Sequence, residues 1–289
     1  MTLEGTKVLK ILTRHLGIKM KKIAILGANG TLGSLLTSLL QNSGNVLPVT
    51  RKNLDILNYY AVTEWLDREQ PDVVINCAFS GGSVNTTDVN ISDLQRNMRM
   101  FYNFYNQESK FRYINFGSGA EYDRTQNIDS VREIEVQDRQ PLDTYGLAKN
   151  YIARTIWNRE NFYTLRLFGC FGYNEPDSRL FKRLLNTGKL SIVDRRFDYF
   201  SHADLATVVK HYIDADDHDL IKDVNLVYKV KYSLYYQALL FADAHCPNGV
   251  ITLTGNSANN YTASGDTLEK LNLNLQGLKQ GIEDYKPNE

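Results

Sequence analysis

The chain has 289 residues, with 33 lysines and arginines against 33 aspartates and glutamates, so its formal net charge is zero. That balance argues against a nucleic-acid groove or a basic membrane face, and no window reaches the about 18 uninterrupted apolar residues that a membrane span needs. Three cysteines, Cys77, Cys170 and Cys246, lack CxxC spacing, and the five histidines are scattered. A disulfide framework or a metal site is therefore not expected, and a reducing cytoplasm fits.

Met20-Lys-Lys-Ile-Ala-Ile-Leu-Gly reads like a natural protein start, which makes residues 1–19 an expected N-terminal extension. Its apolar run from Val8 to Leu12 is interrupted by Lys10 and is too short for a signal peptide. Lys22 to Leu26 is a short apolar, β-branched run of the kind a buried parallel strand shows, and it enters Gly27-Ala-Asn-Gly30-Thr-Leu-Gly33 directly. Leu35, Leu36, Leu39 and Leu40 then repeat at helical spacing. A strand, a glycine turn and a helix in succession place backbone N–H groups and a positive helix end beside a pyrophosphate.

The second strand, Asn45 to Val49, ends at Thr50, Arg51 and Lys52, where an acidic residue would normally hold a ribose 2′-hydroxyl. A guanidinium binds a 2′-phosphate bidentately, so the chain favours NADP(H), with NAD(H) left open. Strands are predicted near 22–27, 45–49, 72–77, 111–116 and 162–167, with helices near 31–42, 58–69, 90–107 and 143–159. Such alternation implies an α/β fold with a doubly wound parallel sheet of the Rossmann kind over residues 20–172. After Gly172 the periodicity shortens, which predicts a smaller substrate lobe over 173–289, with the stretch 201–224 returning to the main domain. The tail from Leu268 to Tyr285 reads as a pair of short capping helices.

Two further features carry chemistry. Tyr145 and Lys149, four apart, share one face if Asp143 to Trp157 is helical, and an ammonium beside a phenol helps it exchange a proton with a substrate oxygen. Arg112-Tyr-Ile-Asn-Phe reads as a strand that breaks into a small-residue turn at Ser118, placing that hydroxyl at the carboxyl end of the sheet, where it can polarise a carbonyl. A turn serine that satisfies only local backbone is the alternative.

With these residues in place, the chain from about 20 to 215 resembles the extended short-chain dehydrogenase/reductases that act on nucleotide sugars, the NAD(P)-dependent epimerase/dehydratase family. The likeness rests on GANGTLG at Gly27 to Gly33, Ser118 four residues before Tyr122, Tyr145-Gly-Leu-Ala-Lys149, and Leu165-Arg166 followed by Phe171-Gly172. Asn76 to Val84, Asn97-Met98 and Phe116-Gly-Ser118 look most similar to the GDP-fucose synthetase-like branch of 4-keto-sugar reductases. The resemblance implies Ser118, Tyr145 and Lys149 as catalytic residues. It implies cofactor contacts at Gly27, Asn29, Gly30, Thr31, Leu32, Gly33, Arg51, Asp55 and Ala78, besides Tyr145 and Lys149. Substrate contacts are implied at Gly82, Ser118, Arg179 and Arg196. It also implies a homodimer that pairs the helices near 90–107 and 143–159 with those of a second subunit.

The departures narrow the reaction. Dehydratases of this family carry an Asp-Glu pair after the catalytic serine or threonine, where this chain has Gly119 and Ala120. The fucose synthetases use a cysteine at the second position with a histidine further on; here Ala120 and Arg179 stand near those places, and an arginine is a poor proton donor. Gly169 replaces a frequent asparagine, and Phe197 replaces an arginine that would meet the diphosphate, with Arg195 and Arg196 just upstream. What survives is hydride transfer and proton delivery, the equipment of an NADPH-dependent reductase of a nucleotide-linked 4-keto-6-deoxy sugar. A 4-epimerase with tightly held NAD, a bifunctional epimerase-reductase and a non-catalytic cofactor-binding module are the competing readings.

Overall fold

Side chains alternate across the first strand, β1 (Lys22–Leu26), and this alternation sets the layers. Ile23 and Ile25 enter one core with Leu36 and Leu40, whereas Ala24 and Leu26 enter another with Val62, Leu66, Phe101 and Ile152. A strand apolar on both faces has to lie inside a sheet covered on both sides. The computed structural model describes residues 20–41, 43–81, 91–108, 111–255 and 258–286. The predicted extension 1–19 and the predicted substrate contact Gly82 lie outside the described residues.

Beyond β1 come α1 (Thr31–Leu40), β2 (Asn45–Val49), α2 (Tyr59–Glu69), β3 (Val73–Asn76), α3 (Ile91–Tyr105) and β4 (Arg112–Ser118). They are followed by β5 (Ile128–Val131), α4 (Thr144–Ile156), β6 (Phe162–Leu167), β7 (Cys170–Phe171), α5 (Leu180–Thr187), β8 (Lys189–Ile192) and β9 (Phe200–Ser201). The chain continues through α6 (His202–Asp214), β10 (Asp223–Leu226), α7 (Leu234–His245), β11 (Val250–Leu253), β12 (Tyr261–Ala263), α8 (Asp266–Glu269) and α9 (Gly277–Glu283).

Six strands form one parallel sheet in the order β10-β6-β4-β3-β1-β2. The chain steps outward from β1 to β2 and then crosses to the other side of β1 at β3. In a doubly wound sheet that reversal opens a crevice at the carboxyl ends of the strands, where ligands bind. Helix α6 and the tail residues Leu268, Leu271, Leu273 and Leu275 cover the same core as Ile23 and Ile25. A further apolar cluster joins α5, α7, β8 and α9 through Phe181, Leu190, Phe241 and Ile282.

The sixth strand, β10, was not among the five that the sequence pattern predicts. Its residues Asp223-Val-Asn-Leu are all buried, and the two polar ones break the apolar signature. Both meet Arg166, which is fully buried on β6. The guanidinium donates to both carboxylate oxygens of Asp223 at 2.8 Å, to Asn225 Oδ1 at 2.9 Å, to Tyr122 Oη at 3.0 Å and to Glu121 Oε2 at 2.5 Å. Glu121 Oε1 in turn accepts the Ser118 backbone N–H at 2.8 Å. One cation thus ties β6, β10 and the turn after β4 together.

Removing that cation leaves two buried carboxylates uncompensated, at a cost of about 3–5 kcal/mol. Arg166→Leu should therefore lower unfolding stability by about that amount in urea denaturation, and a loss below about 1 kcal/mol would contradict the ion-pair account.

Candidate active site

The carboxyl edge of the sheet opens into a cleft of about 650 Å³. Its inner wall comes from Thr31 and Leu32 of α1, Cys77 and Phe79 after β3, Phe116 to Ser118 of β4, and Tyr145 and Lys149 of α4. Its outer wall includes Arg179, Arg195, Phe197 and Tyr261.

The glycine turn leaves no room for side chains. Gly27 has φ +73°, and a Cβ at Gly33 would stand 2.2 Å from the Gly27 carbonyl oxygen. A Cβ at Gly27 would meet the Ala78 backbone at 2.9 Å. Gly30 is the N-cap of α1 and provides no side-chain bond, so among the described residues the N–H groups of the first turn carry no competing side-chain cap. These features fit a dinucleotide pyrophosphate, which needs close backbone approach at a helix N-terminus. Asn29 and Arg51 are exposed, the latter in the turn that follows β2. Asp55 accepts the Leu57 N–H at 3.0 Å and so shapes its own loop, while the Ala78 N–H donates to Asn76 Oδ1 at 3.1 Å.

Ser118, Tyr145 and Lys149, predicted from separate motifs, line one cleft. Asp143 caps α4 by accepting the Gly146 N–H at 2.9 Å, which starts the helix one residue before Tyr145. Lys149, one turn on and 6 % exposed, donates from Nζ to the Phe116 carbonyl at 2.6 Å. The Phe79 ring lies edge-on to Tyr145 with centroids 4.9 Å apart, and its centroid is also 4.9 Å from Lys149 Nζ. The Arg124 guanidinium lies 5.7 Å from the Tyr145 ring centre and is ion-paired with Asp143 at 2.8 Å. Ser118 Oγ accepts the Ala120 N–H at 3.2 Å, the local bond expected of a turn serine, yet the residue still lines the cleft.

The two substrate arginines part company. Arg179 lines the cleft at the start of α5, but Arg196 does not, because its guanidinium pairs with Asp129 on β5. Its neighbour Arg195 faces the cleft instead, 5.3 Å from the Phe197 ring centre. Arg124 and Tyr261 carried no sequence motif, whereas Phe79 falls in the Asn76–Val84 segment and Phe197 stood out only as the replacement for an arginine.

No thiol in the cleft acts as a nucleophile at neutral pH, because burial pushes Cys77 up to about 12 and Cys170 up to about 11. Burial likewise pushes His202 down to about 4 and keeps it neutral. Glu175 is 5 % exposed, and burial raises its carboxyl to about 7. Its Oε1 accepts from Tyr285 Oη at 2.9 Å and from the Lys182 N–H at 3.1 Å, while Oε2 has no partner among the described residues.

A folded-state value above the unfolded one means that the fold binds the Glu175 proton more tightly, so this contribution is complete below about pH 4.5 and is lost as pH rises through about 7. Glu175→Gln mimics the protonated form. The variant should melt above the wild type at pH 8, and the gap should narrow as pH falls through about 7 and close only below about pH 4.5; a gap independent of pH would refute the assignment.

A family model for the NAD dependent epimerase/dehydratase family matches residues 23–226. A search of curated proteins gives no match. Among solved structures, the fold is similar to the GDP-mannoheptose C4 reductase of Campylobacter jejuni with NADP bound, at 21 % identity and a TM-score of 0.75 over 92 % of this chain and 97 % of that one. It is also similar to a GDP-L-fucose synthetase of Naegleria fowleri bound to NADP, at 15 % identity and TM-score 0.75 over 92 % and 91 %. A dTDP-4-dehydrorhamnose reductase of Clostridium acetobutylicum matches at 20 % identity and TM-score 0.75 over 91 % and 98 %. At such identities the structures speak for the fold, while the family model spans most of the chain: this protein belongs to the NAD dependent epimerase/dehydratase family.

Proposed function

We propose that the protein is an NADPH-dependent reductase of a nucleotide-activated 4-keto-6-deoxy sugar. The observation that carries this reading is the chemistry of the turn after β4. Ser118 opens onto the cleft beside Tyr145 and Lys149, while the next two positions, Gly119 and Ala120, bear no acid or base. Elimination of water or epimerisation beside a carbonyl needs a group that takes a carbon-bound proton. Reduction needs a proton only at oxygen, and the residues present supply that.

In this reading Gly27 to Gly33 hold the cofactor pyrophosphate and exposed Arg51 meets a 2′-phosphate. The nicotinamide, when bound, supplies a hydride to the carbonyl carbon. Ser118 donates a hydrogen bond to the carbonyl oxygen and Tyr145 delivers the proton to it. Lys149 is held by the Phe116 carbonyl at a fixed height one turn above Tyr145, which keeps its positive charge beside the phenol. Among the described residues the cleft is lined by four cations, Arg124, Lys149, Arg179 and Arg195, against Asp143 and Glu175, an excess that suits a nucleotide diphosphate. The similar reductase and synthetase structures, two of them holding NADP, support the same substrate class. The homodimer implied by the sequence resemblance belongs to this reading too, with α3 and α4 as the helices that would pair with those of a second subunit.

Incubation with NADPH and a panel of nucleotide-linked 4-keto-6-deoxy sugars in deuterated water tests the reading. A product two hydrogens heavier, without carbon-bound deuterium, is the expected result; deuterium on carbon would restore the bifunctional alternative. Tyr145→Phe should abolish turnover yet leave NADPH binding by fluorescence nearly unchanged. Arg51→Ala should raise the Kd for NADPH by about tenfold and leave that for NADH alone, since only the 2′-phosphate loses a partner.

A further inference from the structure

Aromatic rings on the outer wall stand in a row that begins beside Ser118. Strands β4 and β6 end in register at Ser118 and Leu167, and the residues that follow, Gly119 and Phe168, stay in close approach. A Cβ on Gly119 would stand 2.5 Å from the Phe168 ring and 2.7 Å from Tyr261 Cζ, so two rings close over the residue next to Ser118. Tyr261, on β12, is edge-on to Phe168 at 4.9 Å and stacked on Phe197 at 5.3 Å. The Phe197 ring centre is in turn 5.3 Å from the Arg195 guanidinium. All of these residues line the cleft, and Tyr261 and Phe197 are only half-buried. The wall therefore runs from a hydroxyl at Ser118, along the Tyr261 and Phe197 rings, to a cation at Arg195.

A keto group at Ser118 and a diphosphate drawn to Arg195 fix the two ends of a sugar nucleotide on that row. Two edges of a pyranose join the C4 carbonyl to C1, the carbon that bears the diphosphate. One runs through C3 and C2 and carries hydroxyls; the other runs through C5 and the ring oxygen and carries C6. Hydroxyls laid against aromatic carbon lose water without gaining a partner, whereas C–H groups and a methyl gain by burial. The rings suit the C5 edge, and they suit it best when C6 is a methyl.

Resting on the reductase reading above, we propose that Tyr261 and Phe197 are specificity-determining residues that lie along the C5 edge of the sugar and select a C6 methyl over a C6 hydroxymethyl. The outer wall then decides which sugars reach Ser118, a task separate from holding the nucleotide.

The test is calorimetric binding of matched nucleotide sugars to NADPH-loaded protein. GDP- and dTDP-linked D-mannose is compared with D-rhamnose, and D-galactose with D-fucose, pairs that differ only in the 6-hydroxyl. In the pair that fits the site, the 6-deoxy member should bind about tenfold more tightly, within the about hundredfold that a hydrophobic surface can reject an added hydroxyl. The ratio should fall towards one in Phe197→Asn and, independently, in Tyr261→Gln. It should survive in Phe197→Leu and Tyr261→Phe, which keep the wall apolar. Equal affinity within every pair, no binding of any pair, or a ratio untouched by both polar variants would overturn the proposal. A ratio lost in Tyr261→Phe would overturn it too, by assigning the discrimination to the phenol hydroxyl. So would a loss of affinity in Phe197→Asn that is as large for GDP or dTDP alone, since the rings would then hold the base. Reduction is scored separately: a protein that keeps the 6-deoxy preference but reduces no 4-keto-6-deoxy sugar loses the reductase reading and retains the selective wall.

Discussion

The Arg166 guanidinium is the joint on which the molecule is assembled. It sits on β6 with no solvent contact, and its donors reach Glu121 in the turn after β4 and Asp223 on the edge strand β10. A buried cation of this kind tolerates only a full set of acceptors, so strand order, turn geometry and side-chain rotamers have to agree around it. The consequence for the site is direct. Glu121 spends one carboxylate oxygen on Arg166 and the other on the Ser118 N–H, and this fixes the backbone from which Ser118 projects.

The same ion cluster marks where the sequence stops being readable. The glycine turn, the Tyr145/Lys149 spacing and the small-residue break at Ser118 are local patterns. Each needs only a strand or helix to complete it, and Thr31 and Leu32 of the glycine segment line the cleft with Ser118, Tyr145 and Lys149. Strand β10 was hidden because half of its side chains are polar, and only a partner on another strand makes their burial tolerable. The two adjacent arginines illustrate a second kind of silence. Nothing in Arg195-Arg196 tells which one faces inward; Asp129, on a strand far away in sequence, captures Arg196 and leaves Arg195 at the cleft. Gly169 has a comparable explanation, since a Cβ there would meet Phe197 at 2.7 Å and Tyr199 at 2.9 Å. The place that would hold a polar side chain is given over to aromatic packing on the outer wall.

Both walls of the cleft use aromatic rings to hold polar groups, but in opposite ways. On the inner wall, Phe79 lies against both Tyr145 and Lys149 and shields the space between them. On the outer wall, Phe197 and Phe168 direct a single phenol across the turn at Gly119. Rigid rings fix polar atoms at little entropic cost, because each has only two side-chain torsions to freeze.

The parallel pairing of β5 with β12 has a consequence for the order in which the protein is made. Ile128 is aligned with Tyr261 and Val131 with Ala263, a contact that closes only when nearly the whole chain exists. Strands β1 to β4 and β6, with the glycine turn, are complete long before Tyr261 is synthesised. Because distant pairings form late, a nascent chain passes through a stage that has its sheet and its helix N-terminus but only half of its cleft. Such a half-built intermediate has the glycine turn before it has the outer wall of the cleft, which is complete only when the last strand docks.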